Sequence, residues 1–245
     1  MPQQRKQKWE QLPNTSGEVV GQIGRLLKHN AERSMYVDDP VKYFEVFSDY
    51  YLWSKQKDIV KSVYQNKWTL VRSCNSSGKT HVVGGIHWSW LDIYHPKGKD
   101  RQTKVISTSK NYESLRLTLW SRIREMYRFV AERFNNAPMN LTDFHPEEVK
   151  YPEWFSAGYN PKVEGDEATA FQGHHGEHVL FIFEECINAP AALFRAIEGS
   201  MVDEGSHFLG IYNPTTTIGS EVYAMEQDAI DFDEVRDEPQ WERPV

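Results

Sequence analysis

The chain has 245 residues, of which 39% are apolar and 13% aromatic, enough for one large domain with a full hydrophobic core. No apolar run approaches the roughly 18–20 residues of a membrane span, and the start MPQQRKQKWEQ is polar, so we expect neither a membrane partner nor a secretory signal. The formal net charge of −7 is carried by residues 221–245, where nine acids face only Arg236 and Arg243. The neutral remainder lacks the basic patch of an isolated DNA-binding domain, and Cys74 and Cys186 form no metal-ligand pattern, which indicates a reducing cytoplasm.

The N-terminal part of the chain is predicted to be helical after a polar start. Residues 1–38 are expected to form a loose arm and a first helix, which the helical spacing of apolar residues indicates. Asp39 as cap and Pro40 in the first turn predict a second helix, and Ser54 is expected to cap a third. The main domain is predicted to cover residues 39–220.

Short apolar runs that alternate with helical patterns follow along the chain. Strands are predicted at four of them, KWTLVRSC, QTKVISTS, HVLFIFEE and SHFLGIYNP. Helices are predicted after Gly78, over 111–134 and over 190–201, whereas turn signals predict irregular structure over 134–165 and acidity predicts a linker or tail over 221–245. Because parallel strands need long connections, which the helices supply, the pattern predicts an α/β fold with a mainly parallel central sheet flanked by helices.

A phosphate-binding loop is indicated by the stretch VRSCNSSGKT between the first predicted strand and its helix. Its end matches the pattern G-x-x-x-x-G-K-[ST], but Ser73 stands where the first glycine is usual. Backbone N–H groups at the helix start would bind an anion, Lys79 would reach the β- and γ-phosphates, and Thr80 would place its hydroxyl on Mg²⁺. The alternative is an ordinary turn with a surface lysine. The predicted nucleotide-binding residues of the loop are Ser76, Ser77, Gly78, Lys79 and Thr80.

Two adjacent acids end the apolar run HVLFIFEE. Acids are costly in a buried strand unless they emerge at its carboxyl end, which is where ligands bind in open parallel sheets. In that position Glu184 would hold the shell of the Mg²⁺ ion, and Glu185 would orient and deprotonate the attacking water. The alternative is an exposed Glu-Glu pair that closes a strand.

Two further polar residues complete the predicted site. Asn213 follows the run SHFLGIY, and its amide would bond the γ-phosphate or the attacking water; the alternative is ordinary Asn-Pro turn chemistry. Gln56 follows the aromatic residues Tyr51 and Trp53, so its amide would contact adenine beside a stacking surface. Core aromatic residues at a helix start are the alternative for this segment.

In this order the four elements resemble one family, the N-terminal ATPase domain of phage terminase large subunits, the motors that package viral DNA. The resemblance covers roughly residues 50–223 and is carried by Gln56, CNSSGKT, FQGHHGEHVLFIFEE, CINAPAALFRAIEG and GIYNPTTTIGSEVY. Its most specific part is Phe171–Tyr223, because a general P-loop enzyme need not share the segment before the acids or the Asn-Pro-Thr tip.

The resemblance implies a RecA-like (ASCE-type) P-loop NTPase fold and Mg²⁺-dependent ATP hydrolysis that drives double-stranded DNA into a procapsid. The implied partners are this DNA, further copies of the chain in a homo-oligomeric ring, the portal protein and a small terminase subunit, in the host cytoplasm. Carried over by motif, the implied roles are phosphate contact for Lys79, magnesium contact for Thr80 and Glu184, catalytic base for Glu185, coupling for Asn213 and adenine contact for Gln56.

The arginine supply departs from the family pattern. Many terminases carry an arginine inside the phosphate loop, whereas this chain has none between Cys74 and Gly78 and the nearest is Arg72. An arginine finger donated by a neighbouring subunit is worth about 10³–10⁵ in rate in phosphoryl-transfer enzymes. We therefore expect a domain that works poorly alone, with the donor among Arg101, Arg116, Arg122 and Arg124.

Two other functions remain open on the sequence alone. A helicase-like, nucleic-acid-stimulated ATPase would share the sheet but needs a second RecA-like lobe. A nucleotide-binding assembly module with little turnover would use ATP to set subunit packing. If the chain is a terminase, we expect an isolated ATPase domain without the family's RNase H-like nuclease domain.

Overall fold

The computed structural model describes residues 35–47, 51–96, 101–133, 153–160, 171–214 and 219–230. The predicted first helix, much of the arm over 1–38 and the acidic residues 231–245 lie outside this part of the chain. Five strands are described: β1 Trp68–Arg72, β2 Thr103–Ser109, β3 Trp154–Gly158, β4 His178–Glu184 and β5 Ser206–Tyr212. The described α-helices are α1 Met35–Asp38, α2 Pro40–Phe47, α3 Ser54–Gln65, α4 Lys79–Ile93, α5 Tyr112–Ser114, α6 Trp120–Arg133, α7 Ala191–Ser200 and α8 Glu221–Asp228.

The five strands form one sheet in the order β1-β5-β4-β2-β3, and every described pairing is parallel. β5 therefore lies between the strand that leads into the predicted phosphate loop and the strand that ends in the two acids. The helices that connect the strands cover both faces. This order confirms the predicted α/β fold of the RecA-like, ASCE type.

Alternation along the strands divides the core into two layers. On β4, Leu180 and Ile182 face the layer that contains α3, α4 and α6, whereas Val179, Phe181 and Phe183 face the layer that contains α7 and α8. Successive side chains of a strand point to opposite faces, so a run that is apolar throughout requires cover on both. The continuous apolar character of this run is thus explained by its central position in the sheet.

The helix after the predicted phosphate loop is buried on all sides beyond its first turn. In α4, every residue from Val82 to Ile93 is buried, including three polar side chains. Each of these has a partner on another element: Tyr64 donates to Ser89 (Oη–Oγ 2.8 Å), Tyr43 donates to Asp92 (Oη–Oδ2 2.6 Å), and His87 Nε2 lies 2.6 Å from Ser156 Oγ. Satisfied buried polar groups fix orientation as well as position. The start of α4, and with it the loop, is therefore held in place by the domain core.

Two local features differ from the sequence-based expectation. Residues 134–165 were expected to be irregular, but Trp154–Gly158 forms strand β3, which pairs with β2 at the edge of the sheet. Its Ser-Ala-Gly end has low strand propensity, and the strand forms because all five residues are buried against the core. The single helix expected over 111–134 contains a π-helical turn, Leu115–Leu119, between α5 and α6.

Helix boundaries at the N-terminal side follow the predicted capping in part. Asp39 Oδ1 accepts a hydrogen bond from the backbone N–H of Lys42 at 3.2 Å, as expected for a cap with Pro40 next to it. Ser54 is the first residue of α3, and the cap position is Trp53. Within the described residues, no helix combines the length and the apolar character needed to cross a lipid bilayer.

The C-terminal helix α8 lies inside the segment that was expected to be an acidic tail. Its Val222 is fully buried against the α7 side of the sheet, and Tyr212 at the end of β5 donates a hydrogen bond to Glu226. Arg72, the last residue of β1, forms an ion pair with the same carboxylate at 3.5 Å. The packed body therefore continues at least through Asp228, eight residues beyond the predicted boundary of the domain at residue 220.

The turn into β5 offers a test of this packing. A Cβ atom at Gly205 would lie 1.8 Å from the carbonyl oxygen of Glu177, which is a backbone atom that cannot move aside. Gly205→Ala is expected to lower the free energy of unfolding by about 1–3 kcal/mol or more, because the backbone must shift to relieve the overlap. The measurement is equilibrium unfolding in urea.

Gly199→Ala is the matched control. Gly199 lies near the end of α7, and a Cβ atom at this position would meet no neighbouring atom within 4 Å, so alanine gains helix propensity without a clash. Its free energy of unfolding is expected to rise by up to about 1 kcal/mol. Equal effects of the two substitutions would contradict the described turn.

Candidate nucleotide-binding site

The predicted loop connects the carboxyl end of β1 to the amino end of α4. Gly78 has a left-handed backbone (φ 80°), and Ser76 adopts the same region (φ 62°), which few non-glycine residues do. Inside the loop, the Ser73 and Ser77 hydroxyls are 2.8 Å apart, and Ser77 donates to the carbonyl oxygen of Cys74 at 3.0 Å. The loop is thus a compact turn in which Ser73, at the position of the missing glycine, forms part of the internal bonding.

Lys79 joins the loop to the end of β5. Its Nζ donates to the carbonyl oxygen of Ser73 at 3.0 Å, to that of Cys74, and to Oδ1 of Asn213 at 2.8 Å. An ammonium group has three donors, so all of them bind oxygen atoms here. Partial burial lowers the pKa of Lys79, while the surrounding negative groups oppose this shift. The arrangement can exchange these oxygen acceptors for the oxygens of a phosphate.

Thr80 and Glu184 form the second contact between the loop and the sheet. Thr80 Oγ1 donates to Glu184 Oε1 at 2.8 Å, although the two residues are 104 positions apart. Glu184 is only 4% exposed, and its Oε2 makes no hydrogen bond among the described residues. Burial, and to a smaller extent the charge of the neighbouring Glu185, raises the pKa of Glu184 to about 7. The hydrogen bond from Thr80 lowers this pKa but does not outweigh burial.

Glu185 lies at the point where β4 turns into a short 3₁₀ helix, Cys186–Asn188. Its backbone is left-handed (φ 56°, ψ 43°), and its Oε2 forms an ion pair with Nζ of Lys110. Ser76 and Glu185 are the non-glycine residues with positive φ in the described part of the chain, and both belong to the predicted site. Such conformations cost free energy and persist only where the surrounding packing offsets it. They are found most often at functional sites.

Gln56 contacts the loop itself. Its Nε2 donates to the carbonyl oxygen of Gly78 at 3.2 Å, and its Oε1 accepts from the backbone N–H of Trp53 at 3.3 Å. The side chain is buried, whereas Tyr51 is largely exposed and Trp53 is 42% exposed. The structure thus places one end of the amide on the loop and the other on the backbone at the start of α3, and the adenine contact stays a prediction.

Three of the four candidate arginines, and the nearby Arg72, have contacts within the domain. Arg72 pairs with Glu226 of α8, as described above. Arg101 and Glu177 are 3.2 Å apart, and Arg122 and Glu125 are 2.5 Å apart. Arg124 lies over the ring of Trp120, and Arg116 is exposed on the π-helical turn. These contacts select none of the candidates as a finger, and the donor stays a prediction.

Mg²⁺ fits the residues that are present. The buried Glu184 Oε2 lacks a hydrogen-bond partner among the described residues, and the Thr80 hydroxyl lies beside the same carboxylate. No group of three or more His, Cys, Asp or Glu side chains with metal-binding geometry occurs in the described ranges. Mg²⁺ commonly binds through one or two protein oxygens, several waters and the phosphates of its nucleotide, so two protein oxygens suffice.

Two contacts near the site, that of Lys110 and that of a group of three residues, could not be predicted from the sequence pattern. Lys110 carries no motif, and its position becomes meaningful only when β2 is known to be the neighbour of β4. The triad of Arg72, Tyr212 and Glu226 likewise depends on the pairing of β1 with β5 and on the packing of α8. The signal that was available is that Lys110 directly follows a predicted strand, at the same end at which the two acids close the strand HVLFIFEE.

No protein-family model and no curated protein match the chain. Among solved structures, the large terminase from a thermophilic bacteriophage is similar with 14% identity and a TM-score of 0.49, over 66% of this chain and 39% of that chain. The UvsW helicase from bacteriophage T4 is similar with 12% identity and a TM-score of 0.43, over 71% and 56%. This chain thus spans less than two thirds of either protein, and the fold assignment rests on the strand order above.

The buried Glu184 carboxyl predicts a pH dependence of stability in the protein without metal and nucleotide. Its pKa is raised from the ordinary value of 4.5 to about 7, so its contribution to stability is lost as the pH rises from about 4.5 to about 7. Glu184→Gln is expected to raise the free energy of unfolding by up to about 3 kcal/mol at pH 8 and to change it little at pH 4.5. The measurement is urea unfolding in the presence of a chelator.

The control is Glu198→Gln on the exposed face of α7. It should change the free energy of unfolding by less than about 0.5 kcal/mol at either pH. A Glu184→Gln effect that is the same at pH 4.5 and pH 8 would contradict the burial of an ionisable carboxyl at this position.

Proposed function

We propose that the chain is an Mg²⁺-dependent ATPase domain that powers the translocation of double-stranded viral DNA into a procapsid, as in the large subunit of a phage terminase. The observation that carries the ATPase part is the pair of contacts Lys79–Asn213 and Thr80–Glu184. They bring a cation, a hydroxyl, an amide and a carboxylate to one edge of a parallel sheet, beside the start of a helix. These are groups of the kind that bind the phosphates of a nucleotide and its Mg²⁺.

Binding relies on the loop and on Lys79. The first N–H groups of α4 have no partner within the helix and carry its positive partial charge, so they attract the phosphates. When ATP binds, Nζ of Lys79 leaves the carbonyl oxygens of Ser73 and Cys74 and bonds to phosphate oxygens instead. Its hydrogen bond to Oδ1 of Asn213 is either kept or broken at the same time. Gln56, which bonds to Gly78, holds the end of the loop in position. The loop is lined by backbone and hydroxyl groups of Ser76 and Ser77.

Hydrolysis relies on Glu185. A water molecule attacks the γ-phosphorus, the bond from that phosphorus to the bridging oxygen breaks, and ADP and inorganic phosphate form. The Glu185 carboxylate orients the water and accepts its proton. Lys79 stabilises the charge on the transferred group, and Asn213, bonded to Lys79, signals the presence of the γ-phosphate to β5.

Thr80 and Glu184 would hold Mg²⁺, which when bound neutralises charge on the β- and γ-phosphate oxygens. In its absence the Thr80 hydroxyl donates to Glu184, and the carboxyl is partly protonated near neutral pH. Glu184 is therefore poised to lose this proton when a cation arrives. Its extra methylene relative to aspartate leaves room for that adjustment.

The DNA-packaging part of the proposal rests on the resemblance over residues 50–223. Its partners are double-stranded DNA, further copies of the chain in a ring, a portal protein and a small terminase subunit. A route for coupling exists in the fold: Glu226 of α8 bonds to Tyr212 and pairs with Arg72, and these residues directly precede Asn213 and the loop. A change at the phosphate site can thus reach α8.

Substitutions at Glu185 and Lys79 separate binding from hydrolysis. Glu185→Gln is expected to keep the ATP affinity within about threefold and to lower kcat by at least about 10²-fold, because the amide cannot accept the proton. Lys79→Ala is expected to lose both affinity and turnover, because it removes the cation that faces the phosphates. The measurements are titration calorimetry with ATP and phosphate release.

Lys57→Ala is the control, since Nζ of Lys57 on α3 pairs at the surface with Glu45 of α2. It should leave affinity and turnover unchanged. Wild-type turnover in Glu185→Gln, or wild-type affinity in Lys79→Ala, would contradict the assignment of the site.

The missing loop arginine predicts that turnover depends on assembly. If a neighbouring subunit supplies the arginine, the rate per subunit should rise steeply with protein concentration, and further when DNA and portal protein are added. Phosphate release measured over a roughly hundredfold range of concentration, alongside the oligomeric state by light scattering, tests this. A low rate per subunit that stays constant while the chain oligomerises would favour an assembly module instead of a motor.

A further inference from the structure

The two helical layers of the domain differ in charge. Because α4 is buried, the outer surface of its layer is formed by α2, α3, the π-helical turn and α6. On α3, on the π-helical turn and on α6 through Arg128, the basic side chains that are exposed or half-buried form a positive surface: Lys55, Lys57, Lys61, Arg116, Arg122, Arg124 and Arg128. Of the two acids on the same residues, Asp58 is buried and Glu125 is exposed.

The neighbouring elements reduce this excess of positive charge without reversing it. Glu45 of α2 pairs with Lys57, and Glu125 pairs with Arg122. Arg116 and Arg128 form no ion pair within the described part of the chain, so their charges are open to a partner. The other exposed charges on α1, α2, α5 and their connections are Asp38, Asp39, Lys42 and Glu113.

The opposite layer is acidic. On α7, on the turn from α7 into β5 and on α8, the acidic side chains that are exposed or half-buried form a negative surface: Glu198, Asp203, Glu204, Glu221, Glu226 and Asp228. Arg195 is the basic residue of the same stretches, and Arg72 of β1 pairs with Glu226. The sheet separates the two layers, so the positive and the negative surface lie on opposite sides of the domain.

This separation of charge determines which contacts between copies of the chain are favourable. A two-fold contact joins the same surface of both copies, so it would place like charges opposite each other. A contact between the positive surface of one copy and the negative surface of the next is attractive. It leaves one surface of each kind free, so further copies add in the same sense, and the series forms a ring where the rotation between copies closes.

We propose that the domain assembles through these two surfaces, with the π-helical turn and α6 of one copy docked on α7 and α8 of the next. This inference deepens the proposed function, in which copies of the chain form a ring, by naming the surfaces that meet. Double-stranded DNA is another partner that a positive surface fits. A second copy is favoured because the chain carries the complementary negative surface itself, and because its net charge of −7 repels a polyanion.

Charge reversal on either surface tests this contact in the absence of ATP and DNA. Arg116→Glu with Arg128→Glu changes the positive surface, and Glu198→Lys with Asp228→Lys changes the negative one. Each double variant is expected to raise the dissociation constant of self-association at least about tenfold at low salt, because attraction becomes repulsion. The measurement is sedimentation equilibrium at about 50 mM and about 1 M salt, since high salt should weaken the association of the wild-type chain.

A mixture of the two double variants gives the sharpest comparison. Their reversed surfaces complement each other, so the mixture should regain association to within about threefold of the wild type, which also shows that both variants fold. Arg195→Glu is the matched control, because it reverses an exposed arginine on the negative surface. It should leave association unchanged or strengthen it, whereas Arg128→Glu, with the same change of net charge, should weaken it.

A wild-type chain that stays monomeric at low salt would overturn the proposal. Double variants that associate like the wild type, or that stay apart when mixed, would overturn it as well. Variants that lose the binding of a labelled DNA duplex but keep self-association would assign the positive surface to DNA instead. Failure of the proposed function would appear in a different measurement, because Glu185→Gln would then keep the turnover of the wild type whatever its state of association.

Discussion

The site depends on the parallel register of four strands. Because β1, β5, β4 and β2 run in one direction, their carboxyl ends meet at one edge of the sheet. The residues that follow these ends are the predicted phosphate loop, Asn213, Glu185 and Lys110, and Glu184 is the last residue of β4. Parallel pairing in turn requires helices on both faces, which explains why β4 is apolar from Val179 to Phe183 and why α4 is buried from Val82 to Ile93. A shift of β4 by one residue would exchange its two faces and move the acids away from Thr80.

The features of this arrangement that lower the free energy of unfolding lie at the site. Glu184 is buried with one oxygen that lacks a hydrogen bond in the described part of the chain, and Ser76 and Glu185 hold left-handed backbones. Each such feature opposes folding by about 1–3 kcal/mol, and the dense core around α4 and β4 offsets it. A bound cation would neutralise the buried carboxylate of Glu184, and a bound phosphate would pair with Lys79. Ligand binding should therefore raise the free energy of unfolding of this protein.

The sequence was sufficient for the features that depend on short stretches. The central strands, the loop, the two acids and Asn213 follow from local patterns, because strand ends in an α/β chain carry the chemistry. Strand β3 was missed because its Ser-Ala-Gly end is stabilised by burial, which no local pattern contains. The partners of Lys110, Gln56 and Glu226 could not be predicted either, since each contact joins elements whose adjacency depends on the strand order β1-β5-β4-β2-β3 or on helix packing.

The central claim is that the groups at this edge of the sheet surround the phosphates of one nucleotide. A crystal structure with Mg²⁺ and a non-hydrolysable ATP analogue tests it most directly. The account predicts that Nζ of Lys79 leaves the carbonyl oxygens of Ser73 and Cys74 for the β- and γ-phosphates, while Thr80 and Glu184 face the metal. An analogue bound elsewhere, with the contacts of Lys79 to the loop unchanged, would contradict it.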